Sequence, residues 1–548
     1  MLKSTENARC FLLIIPSLFI NILIDFLSVK CYNVGWEIFY ISLLYERRST
    51  LNNTKNNFGF THKSGILMPV SSLPAKYGIG DFGKCAFDFV DFLSETAQTC
   101  WQVLPLNPTS YGDSPYQSPA ACAGNPYFIA PELLFEQSLL TKDELDSYEH
   151  AQGKVDYGFL FNTRYEMLRK AFARFTPNAE YDAFCEKTAA WLEDYALFMA
   201  LKVNYNYCQW TLWSDEHKNI ANARQHKGEF EAEMNFWKWI QFEFMKEWKA
   251  VVEYAHSKGI TIIGDMPIYV AHDSVDVWSA PEQFLLDQNF NPTIVAGCPP
   301  DGFSVDGQLW GNPIYNYDLM KEQDYAWWVN RAKANFDLYD IIRIDHFRGF
   351  ASYYAIPAHH DTARYGTWEI GPRLPLFEAI DKALPDSKII AEDLGLITDD
   401  VIELLEQTGF PGMKMLHFAF YDEESEFLPR NYPNANCIVY SASHDSDCTA
   451  TWYENLVGEA LDRFRLECPR RLDQNPIEAL IEFAMTSPAN LAMVPLMDYL
   501  ELPNSEGRIN TPAVAEGNWA WRADPDYASD EIKKKILDVT VRTGRENK

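Results

Sequence analysis

Tyr339-Asp340-Ile341-Ile342-Arg343-Ile344-Asp345-His346-Phe347-Arg348-Gly349 is the stretch on which the fold turns. Residues 341–344 are mostly apolar and β-branched, bounded by charge and closed by Gly349. That pattern reads as a buried strand with Asp345 at its C-terminal end. Arg343 stands two residues earlier, and in a strand i and i+2 share a face. An arginine and a carboxylate are thus delivered together to the mouth of a sheet. The reading takes Asp345 as a nucleophile on which other carboxylates converge.

Seven further apolar runs occupy residues 65–70, 101–106, 260–265, 388–392, 413–418, 437–441 and 491–495. Helical patterns lie between many of them, as at 86–98 and 237–258. Ser257-Lys258-Gly259 reads as a helix end that leads straight into a strand. Strands alternating with helices in this way predict an α/β chain folded as a (β/α)8 TIM barrel. Two gaps break the rhythm. Residues 107–259 separate the second and third runs, with helical patterns at 162–175 and 189–205. They predict a mostly helical inserted subdomain at about 135–250. The link from the third run to the fourth carries Gly- and Pro-rich turns over residues 297–313. It predicts long loops at the C-terminal face, where such barrels build their clefts. The expected domains are an N-terminal extension at 1–63 and a catalytic barrel at 64–548.

The extension differs from the rest. Phe11 to Val29 is apolar but interrupted by Pro16, Asn21 and Asp25, with Lys3 and Arg9 ahead of it. It reads as a signal peptide, as a membrane anchor, or as an extension outside the fold from a misplaced start codon. Asp25 is costly in a span, and no small-x-small cleavage site follows. The chain is expected to be cytoplasmic.

A formal net charge of −30 argues against nucleic acid or an anionic membrane as partner. The 11 cysteines are scattered without C-x-x-C spacing, which predicts reduced thiols rather than a disulfide framework or a zinc site. The 16 Trp and 29 Tyr suit either a large aromatic core or a cleft lined for sugar rings. Neither cofactor nor metal is expected.

Asp345 and Glu392 stand at strand ends, Asp265 ends a third strand, and Asp445 follows a fourth in Ser443-His444-Asp445. A lone Asp is more often a solvated or capping group. Recurrence at the mouth of a barrel points instead to glycoside chemistry, which needs two carboxyls about a scissile bond. Clustered like charges raise one member's pKa and so supply an acid, while Arg343 is expected to keep Asp345 ionised.

The strand-end blocks resemble the signature regions of the α-amylase clan, and longer strings are more specific. Ser72-Leu73-Pro74, Tyr77-Gly78-Ile79-Gly80-Asp81 and Gly112-Asp113-Ser114-Pro115-Tyr116-Gln117-Ser118 resemble 4-α-glucanotransferases of the amylomaltase type, glycoside hydrolase family seventy-seven. So do Gly264-Asp265-Met266-Pro267, Pro299-Pro300-Asp301, Gly307-Gln308-Leu309-Trp310-Gly311-Asn312-Pro313, Glu392-Asp393-Leu394-Gly395, Asn510-Thr511-Pro512 and Glu516-Gly517-Asn518-Trp519. The resemblance runs in order over roughly residues 64–524. It implies Asp345 as nucleophile, Glu392 as general acid/base, and Asp445 as binder of sugar hydroxyls that favours a distorted ring. Arg343 and His444 would support these acids, and Tyr116, Asp301, Trp310 and Asn518 would line sugar subsites. The implied substrates are α-1,4-glucans and maltooligosaccharides, with no protein partner. The implied reaction is retaining transfer to the 4-hydroxyl of another glucan, with the Asp345 and Glu392 carboxyls about 5–5.5 Å apart. A retaining α-glucan hydrolase of the same clan and a non-catalytic glucan-binding barrel are the alternatives.

The sequence departs from the family pattern in places. Ser443, Ser446 and Cys448 stand where the family usually has Thr, Asn and Thr. Met497 and Glu501 stand where it more often has Gln and Gly, and Arg373 where it often has Gly.

Other motifs are weaker. Gly78 to Gly83 satisfies G-x-G-x-x-G, but its first Gly lies eight residues past the strand and Asp81 would oppose a phosphate, so it reads as a shaped loop. Residues 301–312 lack the acids of a calcium loop. His256, His272 and His359-His360 lack metal-ligand company. Trp237, Trp239 and Trp248 read as core. Tyr205, Tyr207, Trp210 and Trp213 could form a glucan-binding face.

Overall fold

The computed structural model describes residues 59–110, 112–150, 153–300, 304–468, 470–471, 474–514 and 516–546. The anchor or signal reading of 11–29 and the sugar-binding role expected of Asp301 lie outside these residues. No helix among them is long and apolar enough to cross a membrane.

The eight predicted runs form one parallel sheet. In chain order its strands are β1 (Lys63–Leu67), β2 (Cys100–Gln102), β3 (Thr261–Met266), β6 (Ile341–Ile344), β9 (Ile389–Ala391), β10 (Gly412–Met415), β11 (Cys437–Tyr440) and β12 (Leu491–Pro495). Neighbours run β10-β11-β12-β1-β2-β3-β6-β9. The Ala391 N–H donates to the Pro411 carbonyl at 3.0 Å, where β9 meets the start of β10, so the sheet curls into the expected (β/α)8 barrel. Helices follow most strands, among them Lys84–Glu95, Ala326–Phe336, Leu374–Ala383, Asp399–Thr408, Pro476–Thr486 and Asp530–Arg542. The link from β10 to β11 is different and holds only the 3-10 turns Leu416–Phe418 and Pro429–Asn431. The sixth run is therefore shorter than read, and its residues 416–418 turn away from the strand.

Alternation along β2 shows how the layers form. Trp101 faces outward, donates its indole N–H to the Met68 carbonyl at 2.8 Å and packs on Phe89 and Trp248. Gln102 faces inward and accepts from the Tyr440 hydroxyl across the barrel at 2.9 Å. Trp237, Trp239 and Trp248 all lie buried on helix Glu231–Ser257, as read. Trp210 and Trp213 are buried too, which corrects the idea of an open glucan face there. Trp210 donates to the His272 carbonyl, and Trp213 stacks on Tyr205 and packs at a tilt against Phe198.

A second sheet replaces part of the expected loops. β4 (Ile294–Cys298), β5 (Gln308–Pro313), β7 (Ser352–Pro357) and β8 (Thr367–Ile370) form an antiparallel sheet ordered β5-β4-β7-β8. Gly297, Gly311 and Pro313 interrupt its first two strands, so a period-two pattern is hard to read there.

The bottom of the barrel is closed from the C-terminus. Arg545 is fully buried and donates to the carbonyls of Met485 at 2.5 Å, Lys63 at 2.7 Å, Ser487 at 2.9 Å and Ala489 at 3.2 Å. Its replacement leaves several buried carbonyls unsatisfied. Arg545→Ala is expected to cost about 3–5 kcal/mol in urea unfolding. An unshifted midpoint would show that these bonds hold nothing together.

Candidate active site

Arg343 and Asp265 are register partners on β6 and β3, and Ile390 of β9 is the next partner along. Register therefore sets them side by side. The Arg343 Nη1 donates to Asp265 Oδ2 at 2.5 Å and to Asp345 Oδ1 at 3.3 Å. Its Nη2 meets Glu392 Oε2 at 2.9 Å, and its Nε reaches Met413 Sδ across the barrel at 3.5 Å. The guanidinium side chain is 2% exposed and Asp265 is 0% exposed, so this ion cluster sits where water cannot screen it.

Asp345 and Glu392 each lie one residue past a strand. His346 then takes a left-handed turn, φ 51°, which directs its backbone N–H to Glu392 Oε2 at 2.7 Å. Burial holds the His346 imidazole down to about 4, so it is neutral in ordinary buffers. Its ring meets Trp310 edge-on at 4.9 Å, which brings β5 to the same spot.

Asp445 lies on the loop after β11. Its Oδ1 accepts from Asn510 Nδ2 at 2.6 Å, and its Oδ2 lies 3.2 Å from His444 Nε2. Burial works to raise its pKa, but His444, Asn510 and Arg343 outweigh it and hold the carboxyl far below the usual range. Tyr116 ties the halves of the site together. Its hydroxyl donates to Asp265 Oδ2 at 3.0 Å and lies 2.9 Å from His444 Nε2, with the two rings stacked at 5.4 Å.

The Tyr116 loop is itself fastened down. Asn107 donates to the carbonyls of Ala121 and Ala123, both at 3.0 Å. Gln241 clasps Gly124 at both its N–H and its carbonyl. Glu247 and Asp276 accept from the N–H groups of Ala130 and Ala121 at 2.8 Å each. Beneath it, Asp81 of the Gly-rich loop is buried against Arg164 and accepts from the Gly83 N–H at 3.0 Å. A Cβ at Gly80 would lie 1.8 Å from the Val70 carbonyl, so this glycine serves close backbone packing.

The electrostatics of the acid pair differ from the sequence expectation. Burial, then the Glu392 charge, push Asp345 well above the usual carboxylate range despite Arg343. Burial also works to raise Glu392, but Arg343 and the His346 N–H more than offset it. Arg343 thus favours Glu392 and Asp265 over Asp345. One guanidinium thus holds both carboxyls, Asp345 on Nη1 and Glu392 on Nη2, and of the two it is Asp345 that is pushed toward its protonated form.

The structure gathers Arg343, Asp345, Glu392, Asp445, His444, Tyr116 and Trp310 around one spot. Asn518 is bonded into its own loop. Its Oδ1 accepts from the Thr511 N–H at 2.9 Å, and its Nδ2 donates to the Val514 carbonyl at 2.8 Å. Sequence reading gave no role to His346 or Asn510. Asn510 stood in a quoted string, but only folding shows that it meets Asp445. The variant loop is closed by what it has: Ser446 Oγ accepts from the Ser443 N–H at 3.0 Å, and the Cys448 N–H bonds Asn504 Oδ1 at 2.7 Å. Among the described residues no group of three or more His, Cys, Asp or Glu is placed to hold a metal ion.

Residues 68–527 match the family model described as 4-alpha-glucanotransferase. The chain belongs to that family. A 4-alpha-glucanotransferase of Clostridium butyricum is 43% identical over 487 residues, covering 87% of this chain and 100% of the relative. One from Thermus thermophilus is 42% identical over 499 residues, covering 88% and 98%. An amylomaltase from Streptococcus agalactiae, solved in complex with acarbose, superposes with TM-score 0.85 at 39% identity, over 89% of this chain and 100% of that one. The chain is accordingly an enzyme of the 4-alpha-glucanotransferase class.

Removing Arg343 tests the ion cluster. In Arg343→Met, burial would leave Asp265, Asp345 and Glu392 with folded pKa values above their unfolded ones. Their contribution is then intact at acid pH and is lost as pH rises through the folded values. The variant is expected to lose about 3–5 kcal/mol near neutrality. Thermal unfolding should show the deficit shrinking toward pH 4. A deficit independent of pH would mean that the cluster is held by packing rather than charge.

Proposed function

We propose that this enzyme moves a segment of an α-1,4-glucan to the 4-hydroxyl of an acceptor glucan or glucose, by retaining double displacement through a covalent intermediate on Asp345. The observation that carries the reading is the convergence of Asp345 and Glu392 on the two terminal nitrogens of Arg343. Inverting enzymes hold their carboxyls about 6.5–9.5 Å apart to fit a water between them. A pair held on the two terminal nitrogens of one guanidinium suits the closer spacing, about 5–5.5 Å, at which one carboxyl attacks the sugar directly. The acarbose-bound amylomaltase relative supports a glucan occupant.

In the first step an Asp345 oxygen attacks the anomeric carbon. The bond from that carbon to the glycosidic oxygen breaks, and Glu392 gives its proton to the departing 4-oxygen. In the second, Glu392 takes the proton of an acceptor 4-hydroxyl, whose oxygen attacks the anomeric carbon and releases Asp345. Two inversions give retention. The first step needs Asp345 ionised and Glu392 protonated, the reverse of the order that burial and Arg343 impose on the pair. Asp445, held ionised, stabilises the positive charge that grows on the ring. Arg343 keeps the site's summed charge low enough for both carboxylates to turn over. His444, Tyr116, Trp310 and the Asn518 loop, with Asp301, would bind the sugars.

Incubation with maltotriose tests the transfer. A ladder of longer maltooligosaccharides with glucose is expected. Conversion to glucose and maltose alone would replace transfer by hydrolysis. Asp345→Asn is expected to lower kcat by about 10⁴-fold or more while still folding. Wild-type rates in that variant would remove Asp345 from the chemistry and favour a mere glucan binder.

A further inference from the structure

Asp345 and Glu392 sit at strand ends, but Asp445 stands on a loop, five residues past β11. Its side chain is 40% exposed, against 25% for Asp345 and 19% for Glu392. Barrel register alone therefore does not aim it. What does is a second loop that crosses over the first. The segment from Asn504 to Asn510 follows β12, and it bonds loop 443–448 at both ends and in the middle.

At one end Asn504 accepts from the Cys448 N–H at 2.7 Å and donates Nδ2 to Asp447 Oδ1 at 2.7 Å. At the other end the Asn510 N–H donates to the His444 carbonyl at 3.1 Å, and its Nδ2 reaches Asp445 Oδ1 at 2.6 Å. Arg508 spans the middle. Its Nη1 pairs with Asp447, its Nε donates to the Asn510 carbonyl at 2.9 Å, and its Nη2 lies 3.5 Å from the Asp445 carbonyl. One planar fork thus fixes an acid of one loop, the backbone of Asp445 and the backbone of the residue that grips the Asp445 carboxylate. Lysine has one ammonium and cannot hold three directions at once. The guanidinium side chain is 18% exposed, so the fork is shielded from much of the solvent.

We infer that Arg508 is a positioning residue for the transfer reaction: by clamping Asp447 and Asn510 it fixes Asp445 where the ring's positive charge develops. The inference rests on the proposed role of Asp445. Loss of the clamp lets Asp445 drift, which weakens an interaction made in the transition state and leaves ground-state binding nearly unchanged.

The experiment is a double-mutant cycle with maltotriose. The variants are Arg508→Met, Arg508→Lys, Asn510→Ser, Asp445→Asn and the Arg508→Met/Asp445→Asn double. Arg508→Met is expected to lower kcat by about 100-fold with KM within about 3-fold. Asn510→Ser, which leaves the Arg508–Asp447 pair alone, is expected to do the same and serves if Arg508→Met does not fold. Arg508→Lys should not rescue. Combined with Asp445→Asn, Arg508→Met should cost nothing further, because its only effect is through Asp445. If Asp445→Asn is slow while Arg508→Met and Asn510→Ser turn over at the wild-type rate, the positioning role is overturned. It is equally overturned if the losses simply multiply in the double. If Asp445→Asn itself turns over normally, the fault lies in the proposed role of Asp445, and the clamp has nothing to position.

Discussion

A guanidinium sealed inside the barrel faces three carboxylates, Asp265, Asp345 and Glu392. Each of these charges is expensive to bury, and the cost is offset only when all partners stand in place. Arg343 must be arginine, since one fork serves acids from three strands at once. The constraint also runs backward into the fold. Slipping β6 by one residue against β3 or β9 would turn Arg343 out of the barrel and leave buried acids uncompensated. Strand register and ion cluster therefore specify each other.

The same logic carries the helical segment between β2 and β3 into the site. Gln241 and Glu247 sit in the middle of helix Glu231–Ser257 and hold backbone groups of the Tyr116 loop. Tyr116 in turn bridges Asp265 and His444. A helix that seems remote in sequence thus reaches the acids through a chain of short bonds.

The barrel was legible because each strand is an apolar run that ends in a polar or turn residue. That signal depends only on burial and period. The acids were legible because they recur at strand ends, where a lone Asp would have meant little. The antiparallel sheet was not, since glycines and a proline break the alternation in β4 and β5. Nor was the placement of Asn510 and Arg508. Both come from a loop whose meeting with loop 443–448 is set by tertiary packing, and nothing local in the sequence encodes it. The unequal hold on the two acids was also hidden. Spacing pairs Arg343 with Asp345, but the folded geometry puts Glu392 closer to the guanidinium and adds the His346 N–H to it.

The acids are thereby held by two different means. Asp345 and Glu392 are fixed by the register of a rigid barrel, and a change in their spacing would require a change in the barrel itself. Asp445 is fixed by one loop bonding another. Positions such as Ser446 and Cys448 can vary there because the turn is closed by short local bonds, while the grip on Asp445 comes from Asn510. Asp345 and Glu392 cannot be retuned without disturbing a dry ion cluster. Asp445 can be, by substitutions on two loops that carry none of the cluster's own residues. Under the proposed mechanism, loop-level variation acts on how strongly the charged ring is stabilised, and the covalent step stays in the keeping of Arg343.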